Sequence, residues 1–417
     1  MDTNIKKVMI LGMVQGELPL VEAFQKMGCY VICVGKGSNY PCCAVADKFY
    51  DVDMMDYEAV LKIAKEENVQ AVASNVVERA IRVVAWVAEQ LGLEGIGSDV
   101  AQKFTNKYKM RQAAEKAGIA VPDYAIAHSL QEALEVSERI GYPMIIKPVD
   151  NGGSKGVQRV NCEEELLDYF EESMKLSVTD HSVIIEQFLD GEEYIVDAFT
   201  HNYICDNTDV SVKRHFKLKK NFVSKAVIIQ DADSCTSDIE KKLLKANKQL
   251  VEGMGLKFGI THGEYIYNKK DGKVYLVEIT ARGGGVYLAS HLTPFATGVN
   301  VNELLANYSL GIDVLGDKHL KLKSGAAAWY TFSLPQGIIE NIEGLEEAKL
   351  IDGVCDIISE RFFIGKKVEE MVDDSGKFGP ILVKASDRQG CDRVLEQVKQ
   401  VLKITVKTVN GEEGIIW

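Results

Sequence analysis

Two glutamates, Glu264 and Glu278, flank the short turn Lys269-Lys-Asp-Gly-Lys273, which separates the apolar runs Tyr265-Ile-Tyr267 and Val274-Tyr-Leu-Val277. A hairpin over these residues can set both carboxylates side by side at one end of antiparallel strands. Two like charges that close are costly unless a cation neutralises them, and Mg²⁺ accepts a few oxygen ligands while leaving positions for phosphate and water. The plain alternative is a pair of solvated strand-end glutamates. Upstream lies Lys147-Pro-Val-Asp-Asn-Gly-Gly-Ser-Lys-Gly-Val157. Gly152, Gly153 and Gly156 reach backbone dihedrals closed to other residues, so consecutive amides can turn toward one anion, and Lys147 adds a point charge over it. The loop can cradle polyphosphate, although a glycine-rich turn taken alone is equally an ordinary hairpin. No Gly-x-x-x-x-Gly-Lys-Ser/Thr run occurs, which excludes a Walker-type loop.

The elements that must carry these residues follow from periodicity. Apolar runs at 7–11, 30–34 and 69–73 alternate with helical patterns at 19–27 and 57–67. Strand, helix and strand at that spacing give right-handed crossovers and a doubly wound parallel sheet. Gly12 and Gly16 fall just after the first strand, at the edge where such sheets bind ligands, without forming the Gly-x-Gly-x-x-Gly dinucleotide fingerprint. Helices are expected at 76–91 and 100–117, the second stopping at Lys116-Ala-Gly118. Residues 1–120 read as this N-terminal domain. Residues 121–190 read as a small α+β lid, with strands near 124–127, 144–147, 157–160 and 183–188 and helices at 130–140 and 163–172. Residues 191–315 read as a larger antiparallel sheet with helices, including 238–254, and 316–417 as a capping unit with a late helix at 394–402.

With 417 residues, 46% hydrophobic and 26% charged, the chain is too long for one core and too apolar for disorder. A net charge of −13 argues against a nucleic-acid partner, which needs a basic face. No uncharged stretch reaches the roughly 18 residues of a membrane span, so no membrane partner and a soluble, cytoplasmic protein are expected. Nine cysteines, an odd number that includes the adjacent Cys42-Cys43, do not make a secreted disulfide framework. Cys29 and Cys33 read as small hydrophobes of a buried strand.

These residues carry a resemblance. The chain resembles the ATP-grasp superfamily of carboxylate-activating ligases over nearly its whole length, and in its motifs the branch holding L-amino-acid ligases, biotin carboxylase and purine-pathway carboxylate enzymes. Asn106-Lys107-Tyr-Lys-Met-Arg111 resembles the family's Asp-Lys-x-x-x-Arg helix, and Glu186-Gln-Phe-Leu-Asp-Gly-Glu-Glu193 its hinge. The resemblance implies that Lys107 and Lys147 reach the nucleotide, with Gly152, Gly153, Ser154 and Gly156 at the phosphates. It implies that the backbone of Gln187, Phe188 and Leu189 grips adenine, with Glu186 near the amino group and Glu193 on the ribose. Glu264 and Glu278 become ligands of Mg²⁺, or Mn²⁺ in its place, and Arg282 meets an acyl phosphate. Thr280 stands where many members carry asparagine, a weaker ligand that leaves the number of metal ions open.

The implied reaction is attack of a carboxylate on the γ-phosphate of ATP, then displacement of phosphate by an amine, giving an amide or peptide-like bond and ADP. The other readings are activation with a formate, bicarbonate or sugar- or nucleotide-amine partner, and a non-catalytic ATP-binding regulator. For substrate contacts the sequence offers Arg282 with Gly284 in its triple-glycine run, Tyr287 and His291 on a following helix, and Lys213 and Arg214 in the basic segment 211–221. A solvated basic loop is the plain reading of Lys213 and Arg214, and a structural histidine that of His291. His262, next but one to Glu264, reads as a residue behind a metal ligand. Relatives that pair into dimers extend the expectation to a homodimer.

Overall fold

The computed structural model describes residues 5–152, 155–216, 223–285, 287–372 and 376–417. It consists of two compact units interleaved along the chain: Met1–Asn207, Asp238–Val286 and Asn300–Leu320 form the first, and Thr208–Ser237, Tyr287–Val299 and Lys321–Trp417 the second.

The first unit opens with β1 (Lys7–Leu11), α1 (Leu18–Lys26), β2 (Tyr30–Gly35), α2 (Pro41–Val45), β3 (Lys48–Asp51), α3 (Tyr57–Glu67), β4 (Ala71–Ala73) and α4 (Ala80–Leu91). The strands pair in parallel in the order β3-β2-β1-β4. β1 and β2 are apolar on both faces and buried nearly throughout, as strands covered by helices on two sides must be. β3 escapes the sequence pattern because it is a largely exposed edge strand with no apolar alternation.

The single helix expected over 100–117 is two, α5 (Ser98–Thr105) and α6 (Lys107–Lys116). Asn106 breaks them: its backbone is extended and its Oδ1 accepts from Lys109 N at 2.9 Å, so the side chain caps the second helix instead of continuing the first. The asparagine thus serves as a cap.

Next come β5 (Tyr124–Ala127), α7 (Leu130–Ile140), β6 (Met144–Pro148), β7 (Gln158–Val160), α8 (Glu163–Lys175) and β8 (Val183–Gln187), whose antiparallel sheet runs β5-β8-β6-β7. Met144, Ile146, Val183 and Ile185 face a core shared with Leu166 and Phe170 of α8. Because side chains alternate across a strand, Lys147 and Glu186 are turned to the opposite face. This apolar face therefore decides where the two charged residues point.

Past β9 (Glu192–His201) and β10 (Ile204–His215), which runs from the first unit into the second, lie β11 (Ser224–Asp231), α9 (Asp238–Met254), β12 (Gly259–Asn268) and β13 (Lys273–Thr280). In the first unit β12 lies between β9 and β13, antiparallel to both. Glu264 sits in mid-strand, directly opposite Glu278. One residue further the register slips, so that Tyr265 pairs with Leu276 and Val277 is left over as a bulge. After α10 (Thr293–Thr297), α11 (Val301–Ser309) belongs to the first unit.

The second unit is built on β10, β11, β14 (Ala326–Phe332), and later β16 (Val354–Ile357) and β18 (Phe378–Ala385), in the order β10-β11-β14-β18-β16. A smaller sheet, β17-β15-β19-β20, joins β15 (Gly337–Glu343), β17 (Lys367–Val368), β19 (Lys403–Thr408) and β20 (Gly411–Glu413). With α12 (Leu345–Lys349) and α13 (Arg388–Val401) these sheets enclose a core around Tyr330, Phe332, Phe362 and Phe378.

Candidate active site

The first unit gathers a chain of buried ion pairs. Lys147 of β6 places Nζ 2.7 Å from Glu186 Oε2 on the neighbouring strand β8, and Arg111 of α6 places Nε 2.7 Å from the other oxygen. Arg111 is wholly buried, and its second arm donates to Val277 O, the bulge carbonyl, at 2.6 Å. Lys107, one turn earlier on α6, lies 2.6 Å from Glu278 Oε1 and donates to Asn151 O at 2.7 Å. Arg282 lies 3.3 Å from Glu78 Oε2 and donates to Gly283 O at 2.7 Å. Lys107, Lys147, Glu186, Glu278 and Arg282, five residues singled out from the sequence, thus lie in one network.

Its electrostatics follow from burial set against neighbours. Burial disfavours the Glu186 carboxylate, but Arg111 and Lys147 overcome it and hold the group at about 2. Glu278 is likewise opposed by burial and held below its ordinary value by Lys107 and Lys147. Burial dominates at Lys147 and lowers its pKa despite Glu186, whereas at Lys107 the pull of Glu278 and Glu78 outweighs burial and raises it. Glu78 is raised, first by burial and then by Glu278.

Glu78 was not recognised from the sequence. It lies in the loop after β4, whose backbone is held by a second missed carboxylate, Glu17. That wholly buried side chain accepts from Ser74 Oγ and Asn75 N at 2.8 Å and from Val76 N at 3.0 Å. Asn75 O in turn accepts from Gly283 N at 2.7 Å, tying the residue after Arg282 to the same loop. The signal that could have found both is topological: β1 is flanked by β2 and β4, and ligands of doubly wound sheets bind beyond the carboxyl ends of strands at such a switch point.

The glycine loop joins β6 to β7. Gly152 approaches the Glu78 carboxylate so closely that a Cβ there would stand 2.6 Å from Oε2, and Gly156 adopts a left-handed φ of +73° with Leu176 and Pro148 around it. Gly153 and Ser154 lie outside the described residues, as do the last five positions of the basic segment 211–221. At the hinge the amides of Gln187 and Phe188 donate to Asp123 O and Pro143 O, Leu189 follows the strand end, and Glu193 is an exposed residue of β9.

The glutamate pair can hold a hard cation. The side chains of Glu264 and Glu278 are 32% and 26% exposed, so an ion and its waters can reach them. Thr280, two residues along the same strand face, is buried with its Oγ1 lacking a partner among the described residues. The donor set is entirely oxygen, which suits Mg²⁺ or Mn²⁺. His262, opposite Thr280, has Nδ1 2.6 Å from Asp197 Oδ1 and Nε2 3.6 Å from Glu264 Oε1. Burial opposes its charge, but Asp197 and Glu264 hold its pKa up at about 9.

Of the remaining candidates, Gly284 is a buried residue of the first unit and the other four belong to the second. Arg214 makes a two-pronged ion pair with Asp392 at 2.6 and 2.8 Å, which accounts for its charge structurally. Lys213 lies opposite Val227 on β11. Tyr287 and His291 pack edge to face at 5.1 Å. His291 sits on a five-residue wide turn, Leu288–Leu292, which Tyr287 precedes at a left-handed φ of +65°, in place of the ordinary helix expected. No helix among the described residues is long and apolar enough to cross a membrane.

Residues 106–315 match the family described as the carbamoyl-phosphate synthase L chain, ATP binding domain. The chain belongs to that family, and with it to the ATP-grasp superfamily. It is 29% identical over 313 residues, covering 70% of itself and 74% of the relative, to a formate-dependent phosphoribosylglycinamide formyltransferase of Ignicoccus hospitalis. Among solved structures, the L-amino acid ligase from Bacillus licheniformis superposes with a TM-score of 0.79 at 22% identity, over 97% of this chain and 99% of that one. The phosphoribosylglycinamide synthetase from Anaerococcus prevotii superposes with a TM-score of 0.73 at 22% identity, over 97% and 100%. At these identities the structural likeness concerns the fold: a parallel sheet followed by antiparallel ones.

Proposed function

We infer that the protein is an ATP-dependent ligase that activates a small carboxylate as its acyl phosphate, releasing ADP, and passes the acyl group to an amine. The observation that carries this reading is the single network in which Lys107 and Lys147 meet Glu186 and Glu278 while Glu264 stands opposite Glu278. A nucleotide triphosphate needs cations for its oxygens, carboxylates for its metal and a backbone that can close over it. This network supplies the first two and adjoins the glycine loop.

In the reaction, Lys107 and Lys147 bind phosphate oxygens and offset the charge that grows as the carboxylate oxygen bonds to the γ-phosphorus and the bond to the ADP oxygen breaks. Glu264, Glu278 and Thr280 would hold Mg²⁺, which when bound would supply charge neutralisation to the triphosphate. The Phe188 carbonyl and the Leu189 amide remain for adenine, with Glu193 for the ribose. Arg282 meets the acyl phosphate, and Gly284 beside it lets the backbone approach the substrate. The glycine loop excludes water from an intermediate that hydrolyses readily. A formyl transfer is the second reading, favoured by the name and extent of the Ignicoccus hospitalis relative.

The test is ADP release with Mg-ATP against panels of carboxylates and amines, formate included, with hydroxylamine present as a trap. A hydroxamate formed from one acid without amine names the donor. Lys147→Ala and Glu278→Ala abolish that signal while the protein stays folded. ADP release unchanged in both variants refutes the assignment.

A further inference from the structure

Both lysines of the network depend on one turn that no part of the functional reading uses. The turn is Ser177–Asp180, between α8 and β8, and three elements converge on it. Asp150, in the stem of the glycine loop three residues after Lys147, sends its carboxylate into the turn. Oδ1 accepts from Ser177 Oγ and Val178 N, both at 2.8 Å; Oδ2 accepts from Thr179 N and Thr179 Oγ1, both at 2.6 Å, and from Asp180 N at 3.1 Å. Asn106, the residue before Lys107, donates from Nδ2 to Asp180 Oδ2 at 2.6 Å. Arg82 of α4 donates to Thr179 Oγ1 at 3.0 Å and to Thr105 Oγ1 at 2.7 Å.

Five hydrogen bonds saturate this buried carboxylate, whose two oxygens offer about four lone-pair sites. They also oppose burial and hold Asp150 at about 2, so the group is ionised at neutral pH. The neighbouring stem is anchored in the same way. Asn151 donates from Nδ2 to Leu176 O at 2.8 Å, and Val149 O accepts from Lys107 N at 2.8 Å. At the far end of the loop Ser173 Oγ donates to Gly156 O at 2.8 Å. The residues of the loop between these ends carry the glycines. The stem is therefore tied down on both sides, and these ties fix the distance between Lys147 and Lys107.

We propose that Asp150 is a positioning residue for the triphosphate: by locking the glycine-loop stem to the Ser177–Asp180 turn it holds Lys147 and Lys107 at one spacing. The proposal rests on the ATP-ligase reading of this site. The adenine hinge at 187–189 is held by Asp123 and Pro143 and not by this turn, so loosening the stem weakens phosphate binding without touching the base. Asp150→Asn presents an amide to donors that need an acceptor, while keeping the side-chain volume. Ser177→Ala with Thr179→Ala removes two of the five donors and leaves the carboxylate.

Titration calorimetry of the full chain with Mg-ATP and, separately, with AMP separates the outcomes. Wild type that takes up neither nucleotide sinks the ligase reading itself. With wild-type binding established, Asp150→Asn weakens Mg-ATP at least tenfold and AMP less than twofold, and the double variant gives a smaller loss with the same selectivity. Equal weakening of both nucleotides, or none, in folded variants overturns the positioning role. If Asp150→Asn does not fold, the double variant alone decides on the same criterion.

Discussion

Glu186→Gln tests the energetic logic of the site. Four cationic side chains, Arg111, Lys107, Lys147 and Arg282, are set among three carboxylates, Glu78, Glu186 and Glu278. Glu186 is the only one that bridges two cations, and both partners are almost fully buried, at 0% and 5% exposure. Removing its charge leaves Arg111 and Lys147 facing each other across a neutral amide. Breaking a buried pair by deleting one partner costs about 3–5 kcal/mol, because the orphaned charge stays out of water. Lys147→Met removes a charge that burial already disfavours and leaves Glu186 paired with Arg111, so its cost is smaller, about 1–2 kcal/mol on the scale of an ordinary core substitution. The expected order of stability is wild type, then Lys147→Met, then Glu186→Gln. At about 2 °C per kcal/mol for a protein of this size, Glu186→Gln melts roughly 6–10 °C early. Urea denaturation followed by circular dichroism, alongside thermal melts, reads both. Glu186→Gln as stable as wild type, or Lys147→Met the worse of the two, refutes the reasoning.

Two further outcomes are expected. Asp150 is held at about 2 against an ordinary 3.8, and a depressed carboxylate stabilises the fold above the ordinary value. Its contribution, about 2 kcal/mol at roughly 1.4 kcal/mol per unit, is complete above pH 4 and lost as pH falls toward 2. The stability gap between wild type and Asp150→Asn in urea melts therefore shrinks over that window. Gly263→Ala puts a Cβ 2.8 Å from Asn247 Oδ1 and from the Tyr265 ring, where the tyrosine hydroxyl donates to that same oxygen at 2.8 Å. Overpacking so close to a buried hydrogen bond costs about 1–3 kcal/mol in chemical denaturation.

Much of this was legible in the residues because the information is local. The Lys-Lys-Asp-Gly turn and its flanking apolar runs announce a hairpin, and the lysine before the glycine loop stands out at the end of the apolar run Met144-Ile-Ile146. What escaped depends on distant partners. Arg111 closes a motif in the sequence, but its partners emerge only when Glu186 and the Val277 carbonyl, far along the chain, enclose it. Glu17 and Glu78 sit in loops whose meaning comes from strand order. The break at Asn106 turns on one side chain choosing to cap, a contest that helical periodicity does not register. The interleaving of the two units, in which Tyr287–Val299 and Asn300–Leu320 part company, reflects long-range pairing and leaves no mark on composition.

The surplus residue at Val277 has an evolutionary corollary. Since Arg111 grips its carbonyl, the alignment of Glu264 with Glu278 is fixed on the inner side of the irregularity, and the ribbon beyond it, from Lys269 to Gly272, hangs outside that clasp. Lengthening, shortening or decorating the tip leaves the acidic pair undisturbed. Lineages could diversify there freely, and an experimenter can graft a fluorophore or an epitope onto the tip without paying in catalysis.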